Sequence, residues 1–361
     1  MNPEVKFGIA AVIFAAVITT SFMSVSQTAE TVHVTTNSSA DVLRIGYSPN
    51  INHAQAVIGI GTGDYQKELG GIKVETQTFN AGPATVEALF ANRVDVAYVG
   101  PNPTINGYIK SNGQDLRVIA GAASGGAVFV VRNDSGINSI SDLGGKKFAS
   151  PQLGNTQDVA LRSFLNKNGY KTSDVGGNIQ IINAANSDIV TMMLKKDIDG
   201  AWVPEPWGTI LERNAHGKIL VDERDLWAGG KFTTAVIVAR TDYLQNHPDI
   251  IKKLLEAHVD ETLWINNNKD KAITIFDEQL GNLTGKTIPE NELTEAFSRL
   301  DITYDPIQSS LYKSADAAYG LGFLDDKKPN LDGIFDLSIL NQVLDEKNLS
   351  AIQQVNISST G

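Results

Sequence analysis

One pattern limits the architecture open to this 361-residue chain more than any other. From Leu43 onward, a short apolar run, a loop of small residues and an amphipathic stretch follow one another repeatedly. "LRIGYSPN" leads into "INHAQAVIGIG", "KVETQTFN" into "AGPATVEALFA", "VDVAYVG" into "PNPTINGYIK", "KKFASPQ" into "LGNTQDVALRSFL", "IQIINA" into "ANSDIVTMML", and "DGAWVP" into "EPWGTILERN". Strands alternating with helices at this spacing predict an α/β fold, with a parallel or mixed sheet covered on both faces. In such sheets the loops leaving the C-terminal ends of the strands line the ligand crevice.

The repeats fall into two sets. Phe79–Pro103 aligns with Asn183–Trp207 at an offset of 104 residues, with Ala81/Ala185, Val86/Val190, Asp95/Asp199, Ala97/Ala201 and Val99/Val203 coinciding. The shared apolar rhythm of "ALFANRVDVAYVG" and "MMLKKDIDGAWVP" says more than those identities, and predicts two similar lobes, each a mixed sheet flanked by helices. Two runs rich in β-branched residues, "AVFVVR" (Ala127–Arg132) and "AVIVAR" (Ala235–Arg240), each end in Arg and read as two crossover strands. On that reading lobe 1 comprises residues 42–130 plus 236–361, and lobe 2 is an insertion of residues 131–235. The later stretch "HPDIIKKLLEAHVDETLWINNN" has helical spacing. It places Ile250, Leu254, Leu255, His258 and Val259 on one face, suited to covering lobe 1.

The N-terminus bounds location. Phe7–Val25 is almost wholly apolar, with Lys6 before it and Glu30 after it. Residues 1–29 read as a signal peptide or an N-terminal transmembrane anchor, and the Thr/Ser-rich residues 30–41 as a linker. Either reading puts the remainder outside the cytoplasm, in a periplasm or at the cell surface. A net charge of −11 argues against nucleic acid as a partner. With no cysteine, disulfides, thiolate metal sites and a cysteine nucleophile are excluded. His33, His53, His216, His247 and His258 show no metal-ligand spacing, so no metal or cofactor is expected. "DLGGKK" (Asp142–Lys147) lacks the P-loop spacing and reads as a turn before a strand.

The helix starts carry the candidate chemistry. Each exposes unpaired backbone N–H groups with the positive end of the helix dipole behind them, and small residues let an anion approach. The candidates are His53, Ala54 and Gln55; Gly82 and Pro83; Gly100, Pro101 and Asn102; and Gly154, Asn155, Thr156 and Gln157. Asn155 with Asp158 also fits a capping-box-like arrangement that would hold only its own helix. A helix terminus stabilises an anion by about 0.3–2 kcal/mol and a charge-assisted hydrogen bond by about 1.5–3 kcal/mol. Several converging loops can therefore bind an anion without a Lys or Arg, and these loops contain neither.

These stretches together carry a family resemblance. "IGYSPNINHAQAVIGIGTG", "TFNAGPATVEALFANRVDVAYVGPNPTINGY", "SDLGGKKFASPQLGNTQDVALR", "DGAWVPEPW" and "VDERDLWAGGKFTTAVIVAR" resemble the solute-binding proteins of ABC importers for aliphatic sulfonates, taurine and nitrate. The resemblance implies a two-lobed, type II periplasmic-binding-protein-like fold that closes on an oxyanion and performs no catalysis. It implies docking on permease transmembrane subunits served by a cytoplasmic ATPase, and a monomeric chain. "GNTQDVALR" and "WVPEPW" are similar to the sulfonate branch, which implies an aliphatic sulfonate or taurine as ligand. Nitrate, nitrite or bicarbonate is the alternative within the family. A pyrimidine-precursor protein of the thiamine pathway fits less well, because those proteins rely on an iron site in a cysteine-rich motif.

Further candidates follow from position. Trp202 and Trp207 are read either as core packing or as an apolar wall for a ligand's carbon chain. Glu205 between them would select an amine if it faces the pocket, or dock the permease if it faces outward. Phe232, Thr233 and Thr234 precede the second β-branched run, where the two hydroxyls are expected to reach the cleft.

Overall fold

The computed structural model describes residues 42–324 and 328–355. The 1–29 leader or anchor segment and the 30–41 linker lie outside the described residues. The strands are, in chain order, β1 (Val42–Tyr47), β2 (Lys73–Thr78), β3 (Val96–Val99), β4 (Leu116–Gly125), β5 (Ala127–Arg132), β6 (Lys147–Ser150), β7 (Gln180–Asn183), β8 (Gly200–Pro204), β9 (Gly217–Asp222), β10 (Thr233–Arg240) and β11 (Leu300–Ile302). They form two mixed sheets, one ordered β11-β4-β10-β3-β1-β2 and the other β7-β6-β8-β5-β9.

The duplication seen in the sequence is a duplication of topology. β3-β1-β2 in the first sheet and β8-β6-β7 in the second are parallel triplets of the same order. The helices Gly82–Phe90 and Asn186–Leu194 begin and end at the same 104-residue offset. Each sheet then takes in a strand that follows the other sheet's last repeat strand. β5 comes directly after β4 yet pairs antiparallel with β8 and β9, while β10 follows β9 yet pairs antiparallel with β3 and β4. The chain changes sheet between Gly125 and Ala127 and again between Asp222 and Thr233, so β5 lies wholly in the second sheet and β10 wholly in the first.

Local chemistry explains both crossings. Gly125 and Gly126 have φ of 82° and 74°, and a Cβ on Gly125 would lie 2.8 Å from the Arg299 carbonyl oxygen. Only glycine relieves both constraints. The Arg that ends each inserted strand pairs with the repeated aspartate of the sheet it enters: Arg240 with Asp95 at 3.4 Å and Arg132 with Asp199 at 3.2 Å. Asp95 and Asp199 also accept the backbone N–H of Arg44 and Lys147, each at 2.9 Å. The Asp95/Asp199 identity is thus a strand-insertion lock.

Strand alternation sets which side chains become core. On β5, Val128 and Val130 enter one face of the second sheet while Phe129 and Val131 enter the other. On β8, Ala201 and Val203 likewise alternate with Trp202, which stacks on Phe129 with centroids 5.4 Å apart. Burial of each large side chain contributes about 1.5–3 kcal/mol. Lobe 1 is covered by the helix Pro248–Asn267, which buries Ile250, Leu254, Leu255, His258 and Val259 on its expected face.

Candidate functional site between the lobes

The C-terminal ends of the parallel strands of both sheets point at one cavity of about 30 Å³. That is room for about two or three water-sized groups. The loop after β1 brings Ser48, Asn50, Asn52 and His53, and the loop after β2 brings Asn80, Ala81, Gly82 and Thr85. The end of β3 adds Tyr98, Val99 and Gly100, and β10 adds Thr234. From lobe 2 come Asn155, Thr156 and Gln157 after β6, Asn186 after β7 and Pro204 at the end of β8. No Asp, Glu, Lys or Arg is among these lining residues.

Five helices start at this cavity: Ala54–Gly61, Gly82–Phe90, Pro101–Lys110, Thr156–Lys167 and Asn186–Leu194. None of their N-cap side chains makes a capping hydrogen bond. Their dipoles therefore converge on a neutral space, which favours negative charge there. The wall is also polar and under-satisfied. Asn52 Oδ1, Thr156 Oγ1 and Asn186 Oδ1 are buried without a hydrogen-bond partner, and all three residues line the cavity. Leaving such an atom unpaired costs about 1–3 kcal/mol.

The lobes are closed around it. Asn155 Oδ1 accepts the Gly82 N–H at 3.3 Å, Trp207 Nε1 donates to Asn50 Oδ1 at 2.9 Å, and the Ile51 N–H donates to the Glu205 carbonyl at 3.2 Å.

Residues 37–276 match the NMT1-like family. The chain belongs to the NMT1-like family. A putative aliphatic sulfonates-binding protein of Bacillus subtilis strain 168 is 28% identical over 287 residues, covering 78% of this chain and 81% of that protein. The taurine-binding periplasmic protein of Escherichia coli K12 is 27% identical over 190 residues, covering 53% and 57% respectively. Among solved structures, the periplasmic nitrate-binding protein NrtA from Synechocystis PCC 6803 matches with a TM-score of 0.70 at 16% identity, over 85% of this chain and 89% of that one. The fold is the two-lobed periplasmic-binding-protein fold, and the relatives that this NMT1-like chain matches are named as binding proteins.

His53 is a fixed donor in this NMT1-like cavity. Its Nδ1 accepts the Ser48 N–H at 2.9 Å, so the neutral ring carries its proton on Nε2. Burial lowers its pKa to about 3. Tyr98 is oriented from behind. His258 Nε2 must donate to the Gly121 carbonyl at 2.9 Å, so its Nδ1 accepts the Tyr98 O–H at 2.9 Å. Tyr65 in turn donates to Tyr98 at 2.7 Å. The Tyr98 hydroxyl is thereby committed to lobe 1, and Tyr98 packs its ring 6.0 Å from the His53 ring.

Of the residues singled out from the sequence, the fold brings His53, Gly82, Gly100, Asn155, Thr156, Gln157 and Thr234 to the cavity. Ala54, Pro83 and Pro101 lie in the adjoining helices away from the lining. Gln55 is turned into lobe 1, donating to the Ala122 carbonyl at 2.8 Å, and Asn102 donates to the Ser314 carbonyl at 3.2 Å. Gly154 gives its N–H to Asp158 Oδ2 at 3.0 Å. Thr233 is held by Ser310 Oγ at 2.8 Å from its N–H, and Phe232 stacks on Trp227 with centroids 5.1 Å apart.

The "AWVPEPW" expectations change most. Trp202 is fully buried in the lobe 2 core and donates to Glu223 at 2.8 Å, so it forms no wall for a ligand. Trp207 is an interlobe tie through Asn50. Glu205 faces neither pocket nor solvent. It is 1% exposed, with Oε1 accepting from Arg299 Nη1 at 2.7 Å and Oε2 from the Thr209 N–H at 2.9 Å. Burial nonetheless raises its pKa against the pull of Arg299.

Sequence reading missed Ser48, Asn50, Asn52, Asn80, Tyr98, Asn186 and Pro204 as lining residues. A signal existed for Asn186, which occupies in lobe 2 the place that Gly82 holds in lobe 1, at the 104-residue offset.

Proposed function

We propose that this chain is the extracytoplasmic substrate-binding component of an ABC importer. It captures a small organic sulfonate between its lobes and hands it, as a closed monomer, to permease subunits driven by a cytoplasmic ATPase. The observation carrying this reading is the convergence of five uncapped helix N-termini on one cavity without a charged side chain. Family membership and the names of the sulfonate- and taurine-binding relatives support the ligand class.

Within that class, taurine matches the chemistry of the wall better than a plain alkanesulfonate, and either ligand needs the lobes further apart than the 30 Å³ of this closed form allows. Helix N-termini, His53 Nε2–H and Thr156 Oγ1 suit the sulfonate oxygens. Asn52 Oδ1 and Asn186 Oδ1 are acceptors without a donor, and an ammonium group supplies one. The cavity volume of about 30 Å³ favours a second reading, a small inorganic oxyanion such as nitrate or bicarbonate. Nitrate has no proton to give those two acceptors, which ranks it below taurine.

Calorimetric titration with taurine, ethanesulfonate, nitrate and bicarbonate decides between them. Taurine is expected to bind tightest. Saturation by nitrate alone selects the second reading, and silence toward all four ends the oxyanion assignment.

A further inference from the structure

Lobe 1 holds a second cavity, of about 340 Å³, on the side formed by helices Ala54–Gly61, Asp64–Leu69, Pro248–Asn267 and Lys269–Thr284. That volume is within the range of small-molecule sites. Its apolar lining is Ile58, Ala257, Trp264 and Ile275. Its polar lining is acidic in balance: Asp64, Glu68, Asp260 and Glu261 against Lys67.

Glu261 sets the chemistry. It is 6% exposed, yet among the described residues no donor reaches its carboxylate, and its Oε1 is sealed from solvent without a partner. Its other oxygen, Oε2, would be 3.2 Å from a Cβ at Gly59, so the carboxylate uses space that only glycine leaves there. Two of the three neighbouring acids are otherwise engaged: Asp64 accepts from Thr62 Oγ1 at 2.7 Å, and Asp260 pairs with Lys347 at 2.6 Å. A buried carboxylate without a donor is costly unless a cation joins it.

We infer that this cavity is a binding site for an organic ammonium ligand, its charged group on Glu261 and its apolar body against Trp264, Ile58 and Ile275. A metal ion is disfavoured by geometry, since no three His, Cys, Asp or Glu among the described residues stand close enough to share one. The apolar wall and the indole suit an alkyl- or arylamine, with cation–π attraction adding to the ion pair.

The test uses the full chain and 2-phenylethylamine, with 2-phenylethanol as its uncharged counterpart. Titration is followed by calorimetry and by Trp264 fluorescence in variants that replace the other three tryptophans with Phe. Phenylethylamine should saturate one site, with the alcohol weaker by about tenfold or more. Glu261→Gln, which removes a buried charge and is expected to fold, should weaken the amine by a similar factor and leave taurine binding unchanged. Among the described residues Lys67 is the one cationic side chain in the lining and would repel an ammonium ligand, so Lys67→Ala should tighten the amine. Amine affinity equal in wild type and Glu261→Gln, or no saturable binding in either wild type or Lys67→Ala, overturns the inference.

Discussion

Asn155 occupies the N-cap of the helix Thr156–Lys167, yet its side chain leaves that helix alone and accepts the N–H of Gly82 from the opposite lobe at 3.3 Å. Its Nδ2 donates to Gln157 Oε1 at 2.9 Å, which fixes the amide's orientation. A residue type that usually caps its own helix here joins two lobes beside the interlobe cavity.

That relationship yields the first prediction. A capping Asn replaced by Ala costs about 0.5–2 kcal/mol of stability. Asn155→Ala should instead leave the urea midpoint of the unliganded protein nearly unchanged. Ligand affinity should fall by about tenfold, since one interlobe hydrogen bond next to the ligand is lost. Denaturation and calorimetry on the same sample separate the two. A large stability loss with unchanged affinity would show that capping is its main role.

Gly100 lies opposite Thr156. A Cβ there would stand 2.3 Å from Thr156 Oγ1, although the Gly100 φ of −70° suits any residue. Gly100→Ala should therefore keep the fold of both lobes and hold them apart. Small-angle scattering should show a ligand-independent, more open particle, and the double variant Gly100→Ala with Thr156→Ala, which removes the clashing oxygen, should restore closure.

Ligand affinity should vary by less than about twofold between pH 6 and pH 8. Among lining residues only His53, at about 3, and Tyr98, pushed up by burial, titrate at all. Stability has more structure. His53 and His258, lowered to about 3 and about 4, take up protons on unfolding once the pH drops below about 6.5. Their contribution is complete above that pH and declines below it. Glu223, raised to about 7 by burial, has the opposite sign: its contribution is complete below about pH 4.5 and is lost as pH rises through 7. Thermal melts across this range should fall on both sides, and Glu223→Gln should lessen the alkaline loss, the rest coming from Glu261, likewise raised to about 7 by burial.

Arg299 ties Glu205, Thr209 and Glu212 of lobe 2 to Glu295 beside it in lobe 1. Arg299→Met strands the buried Glu205 carboxylate and should cost about 3–5 kcal/mol in urea denaturation. Adding Glu205→Gln should recover much of that loss, because the uncompensated charge is gone. If the double variant is no better than the single, the cost lies in Glu212 and Glu295 instead.

The layered fold was legible because strand and helix periods, and the 104-residue duplication, are written in local apolar spacing. The neutral, helix-ended cavity was legible for a related reason, since small residues after a strand mark places where backbone must stay accessible. Trp202 was ambiguous because both faces of β8 are core and only its C-terminal end, Pro204, meets the cleft, and period two does not mark where along the strand that end falls. Glu205 was ambiguous because its partner, Arg299, lies 94 residues away and carries no local mark. Asn52 and Asn50 escaped notice since a polar loop residue looks the same whether it meets solvent or a closing lobe.

The reciprocal strand exchange has a consequence for how this chain is made. β10 enters between β3 and β4, so the first sheet stays in two halves until residue 240 is available. β5 waits in the same way for β8 and β9. A nascent chain halted within residues 133–216 has therefore finished neither sheet. Such long-range pairings slow folding, and both sheets complete themselves only late along the chain.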